Sequence, residues 1–189
     1  MGSEVRDAAL RLVERAGARA DGLVPIVRAG HPVLRAVAEP YDGQLELDEL
    51  TALLAVMRRV MRAAPGVGLA APQIGLPLAL AVIEDPAAAD PGRERVPVPF
   101  RVLVNPSYRG LGEQRAAFAE GCLSVPGYAA VVARHRTVRL VGHDETGAAL
   151  DETLVGWPAR IVQHETDHLA GTLYLDAADL RTLAATGND

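Results

Sequence analysis

The stretch Trp157-Pro158-Ala159-Arg160-Ile161-Val162-Gln163-His164-Glu165-Thr166-Asp167-His168-Leu169-Ala170-Gly171 decides how this chain is read. Proline is tolerated in the first turn of a helix, where its missing N–H would have no intrahelical acceptor, and glycine suits the position just past the last turn. The spacing therefore predicts a helix between Trp157 and Gly171. On it His164 and His168 are four apart, so their imidazoles share one face with Cβ atoms roughly 5–6 Å apart and can converge on one divalent ion. Glu165 is turned about 100° further round the helix. That removes it as the obvious third ligand and leaves it within reach of a water at the ion, as a general base. The competing reading is an amphipathic helix whose histidines fall four apart by accident.

Working outward, residues 100–105, 130–133, 137–142 and 149–154 read as strands, with Asp144 to Gly147 as a hairpin turn. Residues 78–83 form a short apolar run that fits a buried strand, and residues 85–99, with four prolines, read as an irregular loop. Two amphipathic helices precede these. One covers 3–16, with Val5, Ala9, Leu12, Val13 and Ala16 inward and Ser3 as a possible N-cap. The other covers about 47–63, with acids early and arginines late, in the order that suits the helix dipole. Residues 179–185 are expected to add a final short turn of helix. The expected fold class is α+β: antiparallel strands packed around a central helix that carries H-E-x-x-H, with flanking N-terminal helices, in one domain over 1–189.

Composition narrows the function classes. An apolar fraction of 49% and a charged fraction of 23% exclude wholesale disorder, collagen-like and coiled-coil chains. A net charge of -5 disfavours nucleic acid as a ligand. The uncharged run 63–83 carries Pro65, Pro72 and Pro77 among its glycines, so it cannot form a membrane-spanning helix. Residues 1–21 mix acids with arginines and lack an apolar core, so no signal peptide is expected and the cytoplasm is the expected location.

Two further segments carry chemistry. Glu120-Gly121-Cys122-Leu123-Ser124 holds the single cysteine. A thiolate with two imidazoles would make a three-ligand site with one position open to water, the pattern of a catalytic rather than a structural centre; the alternative is a buried free thiol. Gly66-Val67-Gly68-Leu69-Ala70-Ala71-Pro72-Gln73 pairs a flexible turn with one amide side chain, and taken alone it reads as an ordinary loop after a helix.

In this order, G-x-G-L-A-A-P-Q, E-G-C-L-S and Q-H-E-x-D-H-L resemble the three signatures of peptide deformylases, with Asn105-Pro106, Val125-Pro126-Gly127, Arg134, Gly171 and Asp176 as further matches. The resemblance implies removal of the formyl group from the N-terminal methionine of new polypeptides, releasing formate. It implies metal ligation by Cys122, His164 and His168, acid–base work by Glu165, and oxyanion donors at the Gln73 side chain and the Leu123 backbone N–H. One divalent metal ion per chain is implied, Fe(II) as the native ion, with Zn, Ni or Co able to take its place. Substrate would lie in extended form between the turn Gly66, Val67, Gly68 and the strand from Gly127. Its methionine side chain would enter a pocket lined by Val67, Phe118, Trp157 and Ile161. Glu120 and Asp167 are candidates to orient the imidazoles. Ala129 stands where many deformylases carry Arg, which leaves preference for later substrate residues open. The chain stops soon after the segment at Asp179, so a long C-terminal helix is not expected and ribosome association has no support. A peptidase using the same helix, and a metal- or peptide-binding module without turnover, are the rival readings.

Overall fold

The computed structural model describes residues 2–187. The expected domain over 1–189 includes Met1, Asn188 and Asp189, which lie outside the described residues. In chain order the elements are α1 (Gly2–Gly17), α2 (Leu47–Ala63), β1 (Gly68–Ala70), β2 (Leu80–Asp85), β3 (Val98–Gly110), β4 (Arg115–Cys122), β5 (Val125–His135), β6 (Thr137–His143), β7 (Ala149–Val155), α3 (Trp157–Leu169) and β8 (Ala178–Ala185). The strands form a five-stranded sheet in the order β1-β2-β3-β6-β7 and a three-stranded sheet in the order β4-β5-β8. All their pairings are antiparallel, so the fold is α+β.

The apolar run at β2 explains how the larger sheet is covered. Successive side chains in a strand point to opposite faces. Leu80 and Val82 enter a core with Leu53, Met57 and Val60 of α2, while Ala81 and Ile83 face Ile161 and Val162 of α3. A strand buried on both faces has no polar side to show, hence its unbroken hydrophobicity. Val5, Ala9, Leu12 and Ala16 of α1 join the first core. At the start of α2 the Glu49 carboxylate accepts the Glu46 N–H at 2.9 Å. The turn from Asp144 to Gly147 closes β6 onto β7, with Asp144 accepting the N–H groups of Thr146 and Ala148 at 2.9 and 3.0 Å.

Three expectations about the fold need correction, and one strand is an addition to them. Residues 179–185 belong to strand β8, not to a helix: Tyr128 pairs with Ala185 and Ala129 with Ala184, and Thr182 Oγ1 accepts the Val131 N–H at 2.7 Å. A seven-residue segment cannot sustain an isolated helix, whereas the open edge of β5 offers it backbone partners. The helix 3–16 begins at Gly2, which places Ser3 inside it rather than at its cap. Strand β4 was not anticipated, because Arg115-Ala116-Ala117-Phe118-Ala119-Glu120 has little hydrophobic alternation; its pairing with β5 makes it a strand. Lastly, β5 is paired on one edge with β4 and on the other with β8, and Gly127 O accepts the Thr186 N–H at 2.9 Å. The edge at 127–130 is therefore taken and cannot pair with an extended peptide. β4 is the outer strand of the smaller sheet, as β1 is of the larger one, and neither has a second strand partner among the described residues. Among the described residues no helix is long and apolar enough to cross a membrane.

Candidate metal centre and active-site cleft

α3 brings His164 and His168 to one place and β4 delivers Cys122 to them. The register between β4 and β5 shifts between Gly121 and Cys122, the kind of irregularity that re-aims a side chain. Ligand atoms of Cys122, His164 and His168 all lie within 4.8 Å of one another. Cys122 Sγ stands 3.2 Å from His168 Nε2, and the two rings meet edge to face with centroids 5.0 Å apart. One soft thiolate and two imidazoles, drawn from two elements and converging within a few ångströms, fit a divalent transition metal ion.

The two histidines differ in electrostatic setting. Burial pushes His168 well below the ordinary imidazole value, and the neighbouring positive charges of His164 and Arg134 add to this, so its ring is neutral and ready to ligate. Burial also works against a charged His164, but hydrogen bonds with Cys122 and Glu120 outweigh it and raise its pKa to about 10. A cation arriving at the trio must displace that proton, so binding is coupled to proton release.

Glu120 fixes the His164 ring, with Oε2 lying 3.2 Å from Nδ1. Its carboxylate is buried yet remains charged: burial alone would raise its pKa, but His164 and Arg134 bring it down to about 2. Arg134 donates to both of its oxygens at 2.8 and 3.0 Å, and Arg160 donates to it as well. Asp167 does not meet an imidazole; it accepts from Arg134 Nη1 at 2.5 Å and from the Tyr108 hydroxyl at 2.8 Å. Gln163 ties α3 to the end of β5, accepting the His135 N–H at 3.0 Å and donating to His135 O at 2.8 Å.

Glu165 points into the same cleft, and its Oε2 is buried without a hydrogen-bond partner among the described residues. Burial lifts its pKa to about 7 against the opposing pull of His164 and Arg134. Its carboxylate lies directly over Gly68: a Cβ added there would come within 2.2 Å of Oε1, so only glycine leaves it room. Gln73 is 1% exposed, and Ala70 N–H donates to its Oε1 at 2.8 Å. That bond orients the amide so that Nε2 faces Cys122 Sγ, 3.6 Å away, and Ser124 Oγ, 3.4 Å away.

These groups open onto a cleft of about 870 Å³ whose lining includes Gly66, Val67, Gly68, Gln73, Leu123, Gly127, Trp157 and Ile161. Phe118 is not on that wall; it sits between the guanidinium groups of Arg93 and Arg160, 6.0 and 5.1 Å from its ring centre. Sequence reasoning did not assign Arg93, Tyr108, Arg134 or Arg160 a role. Arg160 was within its reach, because it lies four residues before His164 on the same helix face. Arg134 stands among the family matches without a role, and Arg93 and Tyr108 are brought in by tertiary contacts that no local pattern announces.

The sequence model of the family described as Polypeptide deformylase matches residues 23–183. "Peptide deformylase 1" of Streptomyces coelicolor is 64% identical over 168 residues, covering 87% of this chain and 77% of that protein. The mitochondrial peptide deformylase of Homo sapiens is 43% identical over 166 residues, covering 83% and 68%. Among solved structures, the Met-Ala-Ser-bound class I type b peptide deformylase of Acinetobacter baumannii superposes with a TM-score of 0.73 at 31% identity, covering 82% of this chain and 98% of that one.

Proposed function

Because this chain belongs to the polypeptide deformylase family, and so is an enzyme that hydrolyses the formyl amide of N-formylmethionyl chains to formate and a free α-amine, we propose the following roles for its residues. Cys122, His164 and His168 hold one divalent cation, and the observation that carries this is the convergence of their donor atoms within 4.8 Å. Fe(II) is the expected native ion, and the same donor set accepts Zn, Ni or Co. When bound, the cation supplies Lewis acidity, lowering the pKa of a water and polarising the formyl oxygen.

Everything else is done by the protein. Glu165, on the helix around which both sheets are arranged, takes the proton of the attacking water and later gives it to the leaving nitrogen; a pKa of about 7 suits a group that must act first as base and then as acid. Charge developing on the formyl oxygen is met by Gln73 Nε2 and the Leu123 N–H, and the Ala70 bond to Gln73 Oε1 supports this by aiming the amide in advance. Glu120, with Arg134 and Arg160 behind it, holds the His164 ring in its ligating orientation. The substrate backbone lies between Gly66 to Gly68 and the free edge of β4, with Gly127 on the rim, and the methionine side chain runs past Val67 and Ile161 toward Trp157. The enzyme works in the cytoplasm, where new chains emerge.

The test is to incubate the metal-loaded protein with N-formyl-Met-Ala-Ser and measure formate and free alanine. Formate alone is expected; free alanine without formate would replace deformylation with peptidase action. In Glu165→Ala the metal should stay bound while formate release disappears, and unchanged turnover would remove Glu165 from the mechanism.

A further inference from the structure

The cleft can be followed away from the metal ligands along two elements. On α3, His164, Ile161 and Trp157 occupy successive turns of one face, so Trp157 stands about 10 Å from His164 at the α-helical rise. On β4, the three residues from Cys122 back to Ala119 cover about 10 Å at the strand rise. The two paths meet at one side chain. Arg93 Nη2 donates to Ala119 O at 2.8 Å, and its guanidinium carbon lies 5.3 Å from the centre of the Trp157 ring.

Arg93 is held at that position by a pinned turn. Asp90 and Arg95 exchange backbone hydrogen bonds at 3.0 and 2.9 Å, and the Asp90 carboxylate accepts the Gly92 N–H at 2.9 Å. Arg95 and Trp157 Nε1 both donate to the buried Asp85 carboxylate at 2.7 Å. Glu94 O accepts the Trp157 N–H at 3.2 Å, while the Glu94 side chain accepts from Arg136 at 2.7 Å. The segment that reads in sequence as an irregular loop is thus bolted to the first residue of α3, and Arg93 projects from it across the end of the cleft.

We infer that Arg93 is a specificity-determining residue whose guanidinium closes the far end of the methionine side-chain pocket and sets the longest first side chain the enzyme accepts. The inference rests on the pocket reading given under Proposed function. An arginine held by a backbone carbonyl and an aromatic face is a stopper with a charged tip: it fills space with its methylene stem, and an apolar chain that reached further would have to desolvate the guanidinium.

The test compares kcat/KM for N-formyl-Met-Ala-Ser with that for its N-formyl-ethionyl counterpart, whose side chain is one methylene longer at the tip. One methylene in a filled pocket changes discrimination by about tenfold or more, so the parent enzyme should favour the methionyl substrate by that order. Arg93→Ala should bring the ratio several-fold nearer to unity, mainly by raising kcat/KM of the longer substrate. Arg93→Gln, which shortens the arm, should move it the same way if the alanine variant folds poorly, and Arg93→Lys should restore discrimination. If Arg93 only braces the turn, both substrates lose equally and the ratio stays put. An unchanged ratio in the alanine and glutamine variants, with Trp157→Ala still shifting it, overturns the inference about Arg93 alone. An unchanged ratio in all of them overturns the pocket reading beneath it.

Discussion

Gly68→Ala tests the placement of the base most sharply, because the three atoms nearest to the added Cβ all belong to Glu165. The new Cβ would lie 2.2 Å from Glu165 Oε1, 2.5 Å from its Cδ and 2.8 Å from its Cγ, where ordinary contact begins at 3.4 Å. To recover that distance the buried carboxylate must retreat by more than 1 Å from the place it holds in the cleft. Overpacking of this kind costs about 1–3 kcal/mol of stability, which most folded domains survive. A misplacement of about 1 Å in a reacting group costs on the order of 100-fold in rate. Formate release at saturating N-formyl-Met-Ala-Ser should therefore fall about 100-fold in a protein that still folds and still binds one metal ion, since Cys122, His164 and His168 are untouched. Metal analysis and a thermal melt on the same sample separate the cases. A Gly68→Ala enzyme with kcat within about threefold of the parent would refute the reasoning, because the base would then tolerate a displacement that should disable it.

Three other perturbations reach different parts of the account. Gln73→Ala removes a donor aimed at the developing oxyanion, and should lower kcat by about 10²–10³ with little change in KM, as read from steady-state formate kinetics. Glu120→Gln leaves Arg160 and part of Arg134 without their buried counter-charge, so denaturant unfolding should show a loss of about 3–5 kcal/mol. The same variant frees the His164 ring, and competition with a chelator should show metal affinity lower by about 10–100-fold. For pH dependence, Arg62 and Arg58 hold Glu84 down at a pKa of about 2, below the ordinary 4.5. A depressed carboxylate contributes stability that is whole above 4.5 and fades as pH falls toward 2. Glu84→Gln should accordingly flatten the fall in melting temperature across that window, and an unchanged acid slope would contradict it.

What the sequence made legible follows from the range over which each signal acts. The α3 segment announces itself because its proline, glycine and histidines are read within four turns of helix, and the apolar run at Leu80 to Ile83 because burial on both faces leaves no polar position in it. The nature of strand β4 was hidden, since Ala116, Ala117 and Ala119 have no strand pattern until β5 lies beside them. The same holds for Asp179 to Ala185, whose conformation is decided by the open edge of β5 and not by its own side chains. At the site, the spacing of His164, Glu165 and His168 names the chemistry, whereas the group that steadies it is assembled across the fold. Glu120 is legible as a candidate to orient an imidazole, but its pairing with Arg134 and Arg160, 14 and 40 positions away along the chain, carries no local mark. Arg93 was hidden for a further reason: its turn reads as mere punctuation until Asp85, Glu94 and Trp157 are seen to fasten it.

X-ray absorption of the protein loaded with one equivalent of Co(II) puts the central assignment to the most direct test. The expected spectrum has one sulfur scatterer at about 2.3 Å and two imidazole nitrogens at about 2.0–2.1 Å, distances typical of a tetrahedral thiolate–imidazole site, with the sulfur shell lost in Cys122→Ala. A first shell without sulfur in the parent protein, or one that survives unchanged in Cys122→Ala, would contradict a cation shared by Cys122, His164 and His168.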